Sequence, residues 1–269
     1  MMNKRITIVV AAHKEYAMPV DKMYIPVFAG AQSKKTEGIP VDFTPDNTGE
    51  NISALNPYFS ELTALYWAWK NLDSDYIGLA HYRRHFSFKR KADLNSVLSF
   101  EEIVPFLGKV KIFTPNKRKY YIETLYSHYA HTFDASHLDE AKKIIDERHP
   151  EYSACYDRMV NKRSGYMFNM MIMQKDLLDQ YCAWLFDILR ELRNRVDESK
   201  MTAFEKRYPG RVSEILFNVW FDYEITSGTV SENELKEIPI VSMEKVNWLK
   251  KGTAFLKAKF LGKKYDTSF

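Results

Sequence analysis

Cysteine is scarce: Cys155 and Cys182 are the two in 269 residues. Two thiols cannot build a disulfide framework or a four-cysteine zinc site, and their neighbours read as those of buried thiols in a reducing compartment. Ten glycines and ten prolines leave no room for a long low-complexity linker or a collagen-like repeat. No apolar run approaches the ~18 residues of a membrane span. The first such run, Ile6 to Ala12, is too short for a signal-peptide core and stops at His13-Lys14-Glu15. Neither GxGxxG nor GxxxxGK[ST] occurs, so the usual glycine cradles for dinucleotides and nucleoside triphosphates are missing. Excess charge is small, formally +4, and uneven: residues 245–269 carry seven lysines against Asp266, a net +6 that leaves −2 for the body. Such a body is no nucleic-acid binder.

What is present is globular. Hydrophobic residues make up 45% and charged residues 28%, and the 14% of aromatics is enough to build a large core. The chain reads as a single α/β domain over 1–244 and a basic amphipathic tail over 245–269. Ile6 to Ala12 is a β-branched run expected of a strand buried on both faces, and Val27-Phe28-Ala29-Gly30 a second short strand. Asn56 and Pro57 open a predicted helix through Asn71, with Asn56 as N-cap. Asp73-Ser74-Asp75 breaks it, and Tyr76 to Ala80 is the next buried strand, giving a βαβ unit and a mainly parallel sheet flanked by helices. Further strands are expected over 109–114, 166–173 and 238–241, and helices over 138–148, 176–196 and 212–223, the last with Ser213 as N-cap.

Ligands of open parallel sheets bind beyond the carboxyl ends of the strands. There stand His13-Lys14 after the first strand, His81-Tyr82-Arg83-Arg84 after the second, and Lys117-Arg118-Lys119 after the third. Cations gathered at one edge suit a diphosphate held by side chains, with Arg83 and Arg84 neutralising a leaving group, whereas 117–119 reads as a solvated strand end. The Asp73-Ser74-Asp75 pair precedes its strand and lies at the opposite edge, so a divalent metal such as Mn2+ or Mg2+ is compatible with the sequence but not indicated. Glu61, in an otherwise apolar helix, is placed to meet a cation or a sugar hydroxyl, while Asn51, Ser53 and Asn56 suit turns and caps. Glu214, opening a helix, is a candidate general base, with Asp134 and Asp222 as other candidates. His128, Tyr129 and His131 lie in a polar-aromatic stretch suited to an acceptor groove. In the tail, lysines interleave with Trp248, Phe255 and Phe260, a pattern suited to an anionic membrane surface.

Three stretches carry a family resemblance. Asn51-Ile-Ser-x-x-Asn-Pro-Tyr-x-x-Glu61-Leu-Thr-x-Leu-Tyr-Trp-x-Trp-Lys-Asn71, then Tyr76-Ile-Gly-Leu-x-His-Tyr-Arg-Arg84, then Asn169-Met-x-Ile-Met with the Tyr181-Cys-x-Trp-Leu-Phe block and Ser213-Glu214, resemble small bacterial glycosyltransferases of capsular polysaccharide, exopolysaccharide and O-antigen biosynthesis, long filed as a domain of unknown function. The likeness runs from about residue 5 to 225. It implies a GT-A-like nucleotide-diphospho-sugar fold and inverting transfer from a UDP-sugar, with galactofuranose the donor sugar of some members. It also implies that His13 and its neighbours line the nucleotide pocket, that His81 to Arg84 stand where Asp-x-Asp usually does, and that Glu214 is the catalytic carboxylate.

The expectation is therefore a UDP-sugar glycosyltransferase with no required cofactor. Glu214, Arg83 and Arg84 would be catalytic. His13, Lys14, Asn51, Glu61, His81 and Tyr82 would bind donor, and His131 and Asn169 acceptor. The acceptor would be a glycan or lipid-linked oligosaccharide, met in the cytoplasm at the inner face of the plasma membrane. A non-catalytic nucleotide- or glycan-binding module and a sugar-phosphate nucleotidyltransferase are the rival classes.

Overall fold

A computed structural model of the chain describes residues 4–34 and 38–244. The basic tail, 245–269, lies outside the described residues. In chain order the elements are β1 (Ile6–Ala12), β2 (Tyr24–Phe28), β3 (Thr44–Pro45), α1 (Asn56–Phe59), α2 (Leu62–Asn71), β4 (Tyr76–His81), β5 (Arg84–Phe86), α3 (Phe100–Ile103), β6 (Ile112–Thr114) and β7 (Arg118–Lys119). They continue with α4 (Leu125–Thr132), α5 (Ser136–Arg148), α6 (Ser153–Val160), β8 (Ser164–Gly165), β9 (Met171–Gln174), α7 (Lys175–Arg195), α8 (Tyr208–Thr226), β10 (Leu235–Glu237) and β11 (Ile240–Ser242).

The central sheet runs β10-β6-β9-β4-β1-β2-β3, with β5 and β11 off one edge of β4. β1 is parallel to β2 and to β4, as the βαβ reading requires. Alternation along a strand sends side chains to opposite faces. Val9 and Ala11 of β1 join Ile77 and Leu79 of β4 in the core beneath α2, α5, α7 and α8. Ile6, Ile8 and Val10 join Tyr76 and Ala80 in a second core with Tyr24, Phe86, Leu98 and Phe113. Both faces are covered, which is why β1 tolerates an unbroken apolar run. Cys155 and Cys182 are buried and free.

β9 runs antiparallel to both neighbours, β4 and β6. Its register sets Gly78 opposite Ile172. A Cβ at Gly78 would stand 2.8 Å from the Ile172 side chain and 3.0 Å from the Met171 carbonyl oxygen, so glycine permits this approach. Because β9 is reversed, its N-terminal end lies at the C-terminal end of β4. The turn before it is thereby delivered to the ligand edge of the sheet.

Several boundaries differ from the sequence reading. Of the strand expected over 166–173 only Met171 to Met173 is strand, the start of β9; before it the chain turns, with Phe168 at φ 78° and Asn169 at φ 52°, and β8 ends at Gly165. The strand expected over 27–30 starts earlier, at Tyr24, and Gly30 turns left-handed beside Asn56. Asn56 is not an N-cap. It lies inside α1 and donates to the Ser60 carbonyl, where Ser60, at φ 52°, breaks the helix expected over 56–71 into α1 and α2. Ser213 is not an N-cap either, because α8 starts at Tyr208 with Pro209 in its first turn. Glu214 is therefore more than a turn inside the helix, and the helix N-terminus is not what sets its charge.

Candidate functional site

A cleft of about 840 Å³ opens at the carboxyl ends of β1 and β4, between those strand ends and the first two turns of α8. One wall is the turn after β4. Arg84 pairs back onto His81, so Tyr82 and Arg83 form a two-residue reversal, and the Tyr82 N–H donates to the Ala11 carbonyl of β1. Tyr82 stacks on Tyr16 at 3.9 Å between ring centroids, and His13 packs edge-on to both rings. The result is an aromatic shelf at the end of β1.

Arg84 is largely buried beside this shelf, its guanidinium 4.5 Å from the Phe168 ring centroid. Burial and the neighbouring Arg83 lower its pKa, while the carboxylates of Glu214 and Glu61 act in the opposite sense. Among the described residues no carboxylate lies within ion-pair distance of Arg84, and Arg83 reaches only Glu244, at 3.9 Å. A largely buried guanidinium without a close counterion, as at Arg84, suits an anionic ligand.

The floor is the left-handed turn at Phe168 and Asn169. The Phe168 carbonyl lies 2.6 Å from His81 Nε2, and burial holds the His81 imidazole neutral by lowering its pKa. The bond to a carbonyl requires that Nε2 carry the proton, which leaves Nδ1 as an acceptor. Asn169 is 2% exposed and donates from Nδ2 to Glu61 Oε1 at 2.8 Å and to the Gly210 carbonyl at 3.0 Å. Ser213 donates to Asn169 Oδ1 at 2.8 Å. The turn thus joins β4, α8 and the start of α2 around Glu61 and Glu214. Two consecutive non-glycine residues in this conformation store strain, which three hydrogen bonds to Asn169 hold in place.

Glu214 stands over this floor. Burial, reinforced by the nearby charge of Glu61, pushes its carboxyl up to about 7, against the pull of Arg118, the Phe168 N–H and Arg84. A carboxylate with that value accepts and releases a proton at neutral pH.

The far wall is cationic as well. Arg118 and Tyr120, from β7 and the loop after it, line the cleft together with Arg207 and Arg211 at the start of α8. Arg118 lies over the Tyr120 ring at 4.9 Å, and Arg211 over Phe204 at 4.0 Å and Phe133 at 4.3 Å.

Of the sequence-derived candidates, His13, Glu61, His81, Tyr82, Arg83, Arg84 and Glu214 all line the cleft. Four others do not. Lys14 lies on the rim, its ammonium 5.0 Å from the Tyr16 ring centroid. Asn51 caps its own turn, donating to the Gly49 carbonyl and accepting from the Ser53 N–H. His131 turns to Glu123, with Nδ1 at 2.6 Å, while its neighbour His128 does line the cleft and bonds the same carboxylate. Asn169 lies behind the wall, holding Glu61. Asp73 and Asp75 bind Arg5 and Lys4 at the opposite sheet edge, the turn role expected of them. Asp222 binds Arg158, and Asp134 accepts from the Ser136 N–H. Among the described residues no three His, Cys, Asp or Glu side chains converge as a metal-binding group. No helix of the described residues is long and apolar enough to cross a membrane.

Sequence reasoning passed over Arg118, Arg207 and Arg211. Arg118 stands in a lysine-rich run that looked solvated. Arg207 and Arg211 became visible only once α8 was seen to begin at Tyr208, which puts both beside the cleft with Glu214 one turn further on.

The cleft at the strand ends and the α/β architecture around it are those of a GT-A-like fold, the class that the resemblance implies. The chain belongs to the family described as a domain of unknown function, DUF4422, whose model matches residues 7–225. Among solved structures, the apo structure of WbbM, a bifunctional glycosyltransferase, matches with a TM-score of 0.80 and 28% identity over 90% of this chain. This chain spans 46% of the WbbM chain, so it corresponds to about half of that protein. Comparison with curated proteins gives no match.

Proposed function

We propose that the protein is an inverting glycosyltransferase that moves a sugar from a UDP-sugar to a surface polysaccharide or lipid-linked glycan. The observation that carries this reading is one cleft holding Arg84, which has no carboxylate within ion-pair distance among the described residues, its neighbour Arg83, and a carboxyl that titrates near 7, Glu214. The likeness to a bifunctional glycosyltransferase supports it.

In this reading the Tyr16–Tyr82 shelf stacks the uracil ring and His13 closes its edge. Arg83 and Arg84 bind the diphosphate and stabilise the charge that grows as it leaves. Glu214 takes the proton of an acceptor hydroxyl. The hydroxyl oxygen forms its bond to the anomeric carbon as the carbon–oxygen bond to the diphosphate breaks, and UDP departs with that electron pair. His81 offers Nδ1 to a sugar hydroxyl, and Glu61 orients the sugar from the opposite side. The arginines supply the charge that a divalent metal supplies elsewhere, so the reaction proceeds without one. The lysine-rich tail brings the enzyme to the inner face of the plasma membrane.

Calorimetric titration with UDP, with and without manganese and with chelator, tests the donor class. Micromolar binding that survives the chelator supports the arginine-held diphosphate, and turnover is then sought with UDP-galactofuranose first. Binding only with manganese would return a metal to the mechanism. Absence of UDP binding would remove the donor class, binding without turnover would leave a binding module, and release of pyrophosphate would make the protein a nucleotidyltransferase.

A further inference from the structure

The cleft carries cations beyond the pair assigned to the donor diphosphate. Arg118, Lys206, Arg207 and Arg211 line it besides Arg83 and Arg84, with Glu61 and Glu214 as the lining carboxylates, while Glu244 reaches Arg83 and the charge of Glu205 acts on Arg211. His13, His81 and His128 add no positive charge at neutral pH, since burial lowers the pKa of each. A diphosphate diester brings about two negative charges, enough for Arg83 and Arg84 and none for Arg118, Lys206 and Arg211.

These further cations are not all held alike. Arg207 is engaged by Ser60 Oγ at 2.9 Å. Arg211 stacks on Phe133 and Phe204, and the Phe204 carbonyl takes one of its N–H groups at 2.7 Å. A guanidinium has five such donors. Burial, the largest influence on it, draws its pKa down to about 10. Among the described residues no carboxylate lies within ion-pair distance of Arg211, Arg118 or Lys206. Glu214 feels the charge of Arg118 as well as that of Arg84, so the reacting hydroxyl would sit within reach of both.

We propose that Arg118, Lys206 and Arg211 form a second anion site that takes a phosphate or carboxylate group of the acceptor, so that this enzyme glycosylates an acidic acceptor. The aromatic rings under Arg211 and Arg118 hold the guanidinium planes fixed, as bidentate recognition of such a group requires. The inference rests on reading the cleft as a donor–acceptor site and names the chemistry of its acceptor half.

The test uses the full chain saturated with UDP, titrated with galactose 1-phosphate, glucuronic acid and galactose. One further equivalent of an acidic sugar binds, at least tenfold more tightly than galactose. Arg211→Gln and Arg118→Gln each weaken that binding tenfold or more and move UDP affinity less than threefold, while Arg211→Lys restores part of it. Preference for the phosphate points to a phosphorylated acceptor, and preference for glucuronate to an acidic glycan. Competition of the acidic sugar with UDP, or galactose binding as tightly, overturns the proposal. Where Arg211→Gln lowers the melting temperature by loosening Phe204, Arg118→Gln carries the test, since the Arg118 guanidinium lies over the Tyr120 ring and not in the Phe133–Phe204 cluster. The two readings fail separately. Binding of acidic sugar through Arg211 without any UDP binding removes the donor class and keeps the anion site, whereas UDP binding with indifference to acceptor charge does the reverse.

Discussion

Asn169 donates its side-chain amide to Glu61 at 2.8 Å, joining residues 108 positions apart, while its backbone sits at φ 52°. The hydrogen bond and the backbone conformation depend on each other. The left-handed turn aims the amide at Glu61, and the bonds to Glu61, Gly210 and Ser213 hold the turn.

Asn169→Ala removes all three bonds and keeps the unfavourable φ. It should cost ~1–3 kcal/mol of stability and lower turnover about tenfold or more, with UDP affinity nearly unchanged, because no nucleotide contact is lost. Thermal melting, UDP titration and a turnover assay on one preparation read the three effects. A large fall in UDP affinity would show that Asn169 acts on the donor side.

Arg84→Ala should weaken UDP binding by about ten- to a hundredfold, since it removes a dehydrated charge–charge contact, and Arg83→Ala should abolish most turnover with the fold intact. Calorimetry at two salt concentrations checks the first, because loss of an ionic contact flattens the salt dependence. Wild-type turnover in Arg83→Ala would remove its assigned role.

Glu214 makes a prediction about stability and one about rate. Its carboxyl titrates near 7 in the folded chain against an ordinary 4.5, so the folded state holds a proton that the unfolded state releases between those values. The native protein therefore loses stability as pH rises through that window. Glu214→Gln escapes the loss and should be more stable than wild type by ~1–2 kcal/mol at pH 8, with little difference at pH 4, after allowing for the open, wet side of the cleft. Turnover of the wild type should rise with pH and level off above about 7, and in Glu214→Gln it should fall at least a hundredfold. Equal melting curves at both pH values would mean that the carboxyl is not raised.

Gly78→Ala should destabilise the fold by ~1–3 kcal/mol, because the added methyl meets Ile172 and the Met171 backbone across the β4–β9 pair. Chemical denaturation measures it. In an Ile172→Ala background, which lacks the Cγ1 atom that the methyl meets, the Gly78→Ala penalty should be smaller.

The parts of the molecule legible in its sequence are those governed by local pattern. The β1 run, the βαβ unit and the cations after β4 all follow from hydrophobic periodicity and strand-end logic, and they put His13, Tyr82, Arg83 and Arg84 at the strand ends that line the cleft. What periodicity could not show was set by long-range closure. The apolar run over 166–173 hides a left-handed turn that only its distant partners Glu61, Gly210 and Ser213 stabilise. Asn51 and Asn169 stand in distinctive motifs because the backbone needs them there, one in a turn and one behind the wall. Arg211 was invisible as a ligand group because its setting depends on Phe133 and Phe204, each packed from a different stretch of chain.

The reversal of β9 has a consequence for how the molecule assembles. Gly78 finds its neighbour Ile172 only after 94 further residues, so a nascent chain carries β4 with one side unpaired for much of its synthesis. The reversal carrying Arg83 and Arg84 is local and can close early, whereas the Phe168–Asn169 turn and Glu214 arrive last. An incompletely folded molecule would therefore hold the cations without the carboxylate between them, able to attract a nucleotide and unable to use it. Lesions at the β4–β9 seam, far from any ligand, should then separate retention of substrate from its conversion.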